Sequence, residues 1–89
     1  MQTEYYIMMI DGSCVRVIAS DKVTAFCKAS DRLEYESFDD FLTDINLCEW
    51  KDSENRIVES YSDGKTHTVR LPIDSPYELM DYSKLNLVA

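Results

Sequence analysis

The chain has 89 residues, 45% of them apolar, and its seventeen acids outnumber nine Lys and Arg to leave a net charge of −8. A chain of this size forms one domain with a small core, since it buries only about 60–65% of the surface its unfolded form exposes. The nine cations are scattered singly, which excludes the clustered Lys and Arg that nucleic acid or an anionic membrane would need as direct ligands.

Residues 5–10 and 13–19 are β-rich runs separated by Asp11-Gly12. That dipeptide suits a two-residue type I′ turn, which needs positive φ at both positions. The register this predicts sets Met8 opposite Val15, Tyr6 opposite Val17, Ile7 opposite Arg16 and Tyr5 opposite Ile18. Both faces of the hairpin are then largely apolar, and one of them needs a cover. A homodimer interface is one expected cover, and the segment after Tyr77 folding back is the other.

Ser20 is the expected cap of a short helix reaching Ala29, with Val23, Phe26 and Cys27 as its apolar stripe. Residues 33–36 read either as a short strand or as a bend. Ser37, with Asp40 three residues on, opens a second helix in the manner of a capping box. Phe38, Phe41, Leu42, Ile45 and Cys48 recur at helical spacing, which predicts a helix continuing to about Glu49. In that projection Leu47 and Trp50 lie off the apolar stripe.

The same region holds the strongest signal in the chain. Between residues 31 and 54 stand nine carboxylates (Asp31, Glu34, Glu36, Asp39, Asp40, Asp44, Glu49, Asp52 and Glu54) against Arg32 and Lys51, a net −7. Crowded like charges oppose the compact state, so such a face serves either solubility or a basic partner. Asp39 and Asp40 also complement the positive end of a helix dipole, worth about 0.3–1 kcal/mol each. The remaining acids have no such local explanation. Carboxylates spaced along a helix and its flanks can occupy Arg/Lys grooves built for phosphate. Tyr35, Leu47 and Trp50 would then supply apolar anchors. The expected partner-binding set is therefore the nine acids together with Trp50.

Residues 56–61 and 66–71 form a second hairpin around Ser62-Asp63-Gly64-Lys65. Its predicted register sets Val58 opposite Val69, Arg56 opposite Leu71 and Ser60 opposite His67. Beyond it, Ser75 is an expected cap for a helical turn opening at Pro76. Leu85, Leu87 and Val88 either dock as an edge strand or fray.

Little else carries chemistry. His67 is the sole histidine, so spacing assembles no His pair or Cys-His zinc site. Asp39-Asp40 and residues 52–55 offer oxygen ligands but lack the glycine-centred alternation of a calcium loop. Neither a metal nor a cofactor is expected, and the chain does not read as an enzyme. Three cysteines without paired spacing read as free thiols in a reducing cytoplasm, and residues 1–4 lack the basic start of a signal peptide.

The expected fold is α+β, two antiparallel hairpins in one sheet with one or two helices on a face, in the order β-β-α-α-β-β. The expected function is that of a small acidic inhibitor that binds a basic protein surface, the target being a nucleic-acid-handling protein. In size and charge it is similar to phage anti-defence proteins of the anti-CRISPR type, a likeness of composition alone. The alternatives are an immunity or antitoxin protein masking a basic toxin, and a structural homo-oligomer.

Overall fold

The computed structural model describes residues 2–61, 64–75 and 86–88. β1 (Thr3–Met9) and β2 (Ser13–Ala19) form the first hairpin, followed by α1 (Lys22–Arg32) and α2 (Phe38–Asp44). β3 (Ile45–Lys51), β4 (Asn55–Ser60), β5 (His67–Pro72) and β6 (Asn86–Val88) complete the described elements. The six strands make one sheet in the order β5-β4-β3-β1-β2-β6. Its first five strands pair antiparallel, while β6 runs parallel to β2. The fold is α+β, and its order differs from the expected β-β-α-α-β-β in two places.

The first difference is β3. The predicted second helix stops at Asp44, and the next residue, Ile45, is already extended at φ −72 and ψ 133. Residues 45–49 satisfy a helical spacing, yet β3 lies between β1 and β4 and has both its edges paired. Ladder bonds on two sides outweigh the weak preference of a short apolar run for a helix. A bulge opposite Met8 and Met9 then adjusts the phase of the strand, so that Ile45 and Cys48 are both buried in the core. The second difference is β6, which settles the alternatives for Leu87 and Val88: they dock on β2. The helical turn expected at Pro76 lies outside the described residues.

The first hairpin is also out of its predicted register. Tyr5 pairs with Val17, Ile7 with Val15 and Met8 with Cys14. The connection has three residues rather than two: the Gly12 N–H donates to the Met9 carbonyl at 3.0 Å, and Ser13 N–H to Asp11 Oδ1 at 2.8 Å. Gly12 sits at φ +90, where only glycine is free of strain. One residue of slip transfers every β2 side chain to the other face. Tyr5, Ile7, Met9, Val15, Val17 and Ala19 now line a single buried face. The other carries Glu4, Tyr6, Met8, Arg16 and an Ile18 that is half exposed, together with a fully buried Cys14. The membership of the two faces is corrected by this register, while the second face stays largely apolar through Tyr6, Met8, Cys14 and Ile18.

Both helices pack on the buried face. Asp21, not Ser20, caps α1 by accepting from the Thr24 N–H at 2.8 Å. Ala25, Phe26, Ala29 and Ser30 are its buried stripe, whereas Val23 and Cys27 are exposed. Phe26 meets Phe41 and Tyr61 edge-on at 5.9 and 6.1 Å, which ties α1 to α2 and to the end of β4. The second hairpin keeps its predicted register throughout, with Val58 opposite Val69 and Ser60 opposite His67. Ile57 and Glu59 point to the helix side, and Glu59 accepts from Lys22 Nζ at 2.6 Å.

Candidate partner-binding surface

The acidic segment does not form one surface. It begins at the end of α1, where Glu34 adopts φ 61. Its N–H donates to the Asp31 carbonyl and that of Tyr35 to the Ser30 carbonyl, both at 3.1 Å. These two bonds close the helix as a Schellman motif, with glutamate where glycine is usual. The turn brings the chain back at once into α2, so Asp31, Glu34, Glu36, Asp39 and Asp40 all fall exposed around one corner of the molecule. Arg32, the sole cation between residues 31 and 40, sends Nη1 to the Arg16 carbonyl at 2.6 Å.

α2 starts as predicted: Ser37 Oγ accepts from the Asp40 N–H at 3.1 Å, and Asp39 and Asp40 occupy the first turn. Only Phe41 of its apolar residues is buried, at 0% exposure, while Phe38 and Leu42 stand 38% and 41% exposed. The helical spacing assigned both to the core. A seven-residue helix lying on a sheet buries a narrower stripe than a long one, so their exposure was hidden by the very periodicity that found the helix.

Asp44 belongs to the scaffold. It is half-buried, and the Tyr35 hydroxyl donates to Asp44 Oδ2 at 2.9 Å, clamping the turn to the end of α2. Burial and this bond push the Tyr35 phenol up to about 12.

The other members of the expected set are elsewhere. β3 has seven residues and so spans about 20 Å. Asp52 and Glu54, in the β3–β4 turn, therefore sit at the end of the sheet away from α2. Asp52 Oδ1 accepts the N–H groups of Glu54 and Asn55 at 2.8 and 2.6 Å, which hold its carboxyl below the usual range. Glu49 is 2% exposed and so offers no surface charge. Trp50 is half-buried against Tyr5 at 5.6 Å, with Lys22 Nζ 5.7 Å from its ring. The placement of Glu49, Trp50 and Leu47 on a helix is corrected by β3. Among the described residues no three His, Cys, Asp or Glu gather as a metal site, and no helix is long and apolar enough to cross a membrane.

No protein-family model, curated protein or solved structure matches the chain.

Proposed function

We propose that this is a small interaction protein that binds a basic surface of a partner protein through the α1–α2 corner. The observation that carries the reading is the juxtaposition there of five exposed carboxylates with two exposed apolar side chains, Phe38 and Leu42. Charge alone gives steering and little lasting affinity, whereas apolar anchors inside a charged rim slow dissociation. A solubilising face needs the first and gains nothing from the second. The favoured partner is a nucleic-acid-handling protein, because grooves that bind phosphate present Arg and Lys in the pattern carboxylates satisfy. Occupying such a groove excludes its nucleic acid, so the protein acts as an inhibitor.

The test separates the two parts of the corner. Glu36, Asp39 and Asp40 reversed together to Lys should slow association by about tenfold or more at low salt. Asp44 is left intact because of its bond to Tyr35. Phe38→Ala with Leu42→Ala should mainly speed dissociation. The partner is captured from host lysate at low salt and released at high salt, and circular dichroism checks that each variant folds. A charge-reversed protein that captures the same partner equally well overturns the reading.

A further inference from the structure

The connection from β5 to β6 has to cross the whole sheet. β5 and β6 are its two outermost strands, five inter-strand spacings or about 24 Å apart. β5 ends where Pro72 pairs with Asn55, at the β3–β4 turn. β6 begins where Asn86 pairs with Ser13, beside the β1–β2 loop at the other end of the sheet. The diagonal between them is about 30 Å, and the eleven steps from Ser75 to Asn86 reach about 36–40 Å when fully extended. A path over α1 and α2 must also clear a helix about 10–12 Å thick on the way out and back, which uses more chain than there is.

Handedness points the same way. β2 and β3 run parallel and are joined through α1 and α2 on one face, and β5 and β6 run in that same direction. The two connections travel in opposite senses along the strand order. Crossovers between parallel strands are right-handed almost without exception, so the second uses the face opposite the helices. That face is already occluded. Cys14, Glu49 and Val58 point to it, away from α1 and α2, yet are only 0%, 2% and 6% exposed. Arg56 shares the face, and its Nη2 donates to the Ser75 carbonyl at 3.4 Å, which starts the connection over it.

We infer that residues 76–85 cross this face and form a third layer on the sheet. The segment is rich in apolar residues (Tyr77, Leu79, Met80 and Tyr82), and the face offers half-buried Tyr6, Met8 and Leu47. Burial of both sets favours the contact. A second copy seated here would leave the connection without a path. This face takes no part in the acidic corner, so each stands or falls alone.

NOE spectroscopy of the full chain tests the crossing. Side chains of residues 77–82 should show cross-peaks to the Val58 and Met8 methyls within one chain. Isotope-filtered spectra of a mixed sample separate these from contacts between chains. Cross-peaks from the segment to Val23 or Leu42 in the helix layer overturn the inference. So do contacts to Val58 and Met8 only between chains, or none to that face at all. A second measurement uses the cysteines, because Cys14 points to this face and Cys48 to the helix side, and both are buried. Replacing residues 76–85 by ten Gly and Ser residues, with β6 kept, should speed native-state labelling of Cys14 by about tenfold or more while Cys48 stays slow. A Cys14 as slow as in the parent overturns the inference. Should both thiols become fast, the altered chain has unfolded and the NOE contacts of the parent decide.

Discussion

In the first hairpin, six side chains of β1 and β2 are buried beneath the helices, and β1 is hydrogen-bonded along both edges. In the second, β4 buries Ile57, Val58 and Glu59, while His67, Thr68, Val69 and Arg70 of β5 all lie exposed. Both hairpins carry an Asp-Gly pair and similar β-branched residues. What separates them is position: one is the middle of the sheet, the other ends it. Stability in this protein is therefore set by where a strand lies rather than by how strongly its residues favour strand.

The sharpest way to break that comparison is truncation at equivalent sites. Ile7→Ala, at 0% exposure, should cost about 2–5 kcal/mol in urea denaturation, enough to unfold a marginal domain. Val69→Ala, 45% exposed, should stay within about 0.5 kcal/mol. Equal losses would mean that β5 is far more tightly held than its exposure indicates. The ion pairs repeat the contrast at smaller scale. Lys22→Ala strands the buried Glu59, and after allowance for the partial exposure of Lys22 should cost about 1–2 kcal/mol. Arg70→Ala removes a 3.9 Å contact to Asp52 between exposed groups and should be close to silent.

The turn glycines come next. Gly12 at φ +90 and Gly64 at φ +68 each face open space, so alanine meets strain and no clash. Each substitution should cost about 1 kcal/mol, Gly12→Ala the more because its φ lies further from the left-handed well that other residues tolerate. The smallest effect is on the pH profile. Burial pushes the Cys14 thiol up to about 11 and the Cys48 thiol up to about 12 from an ordinary 9.0. The folded chain holds these protons longer than the unfolded one. Stability from them is complete below pH 9.0 and falls as pH rises from there toward about 12. Urea midpoints at pH 8 and 10 should show the decline, and Cys14→Ala should make it shallower. In native protein a thiol reagent should label exposed Cys27 quickly, and Cys14 and Cys48 only on unfolding.

The second hairpin was legible to the residue because its strand runs and turn leave one register that pairs Val58 with Val69. The first was not, since Asp11-Gly12 serves both a two-residue turn and a three-residue loop with the glycine left-handed, and only packing chooses. The start of α2 could be read from Ser37, but its end could not. Residues 45–49 fit a helical and a strand pattern alike, and the deciding partners, β1 and β4, are distant in sequence. The end of α1 carries no glycine to announce it. Half of the expected site, Asp31, Glu34, Glu36, Asp39 and Asp40, does share one corner. The rest was scattered by the strand that replaced the helix, and the apolar side chains exposed on α2 are Phe38 and Leu42 rather than Trp50.

The parallel strand β6 has a consequence for the order in which the molecule is made. Val15 and Val88 are neighbours in the sheet but about seventy residues apart along the chain. Synthesis delivers β2 early and its outer neighbour long afterwards, and closing so long a loop is slow as well as entropically costly. Throughout that interval β2 shows a bare edge able to accept any extended strand that reaches it first. A newly made chain in a crowded setting thus meets its greatest danger of mispairing before β6 arrives.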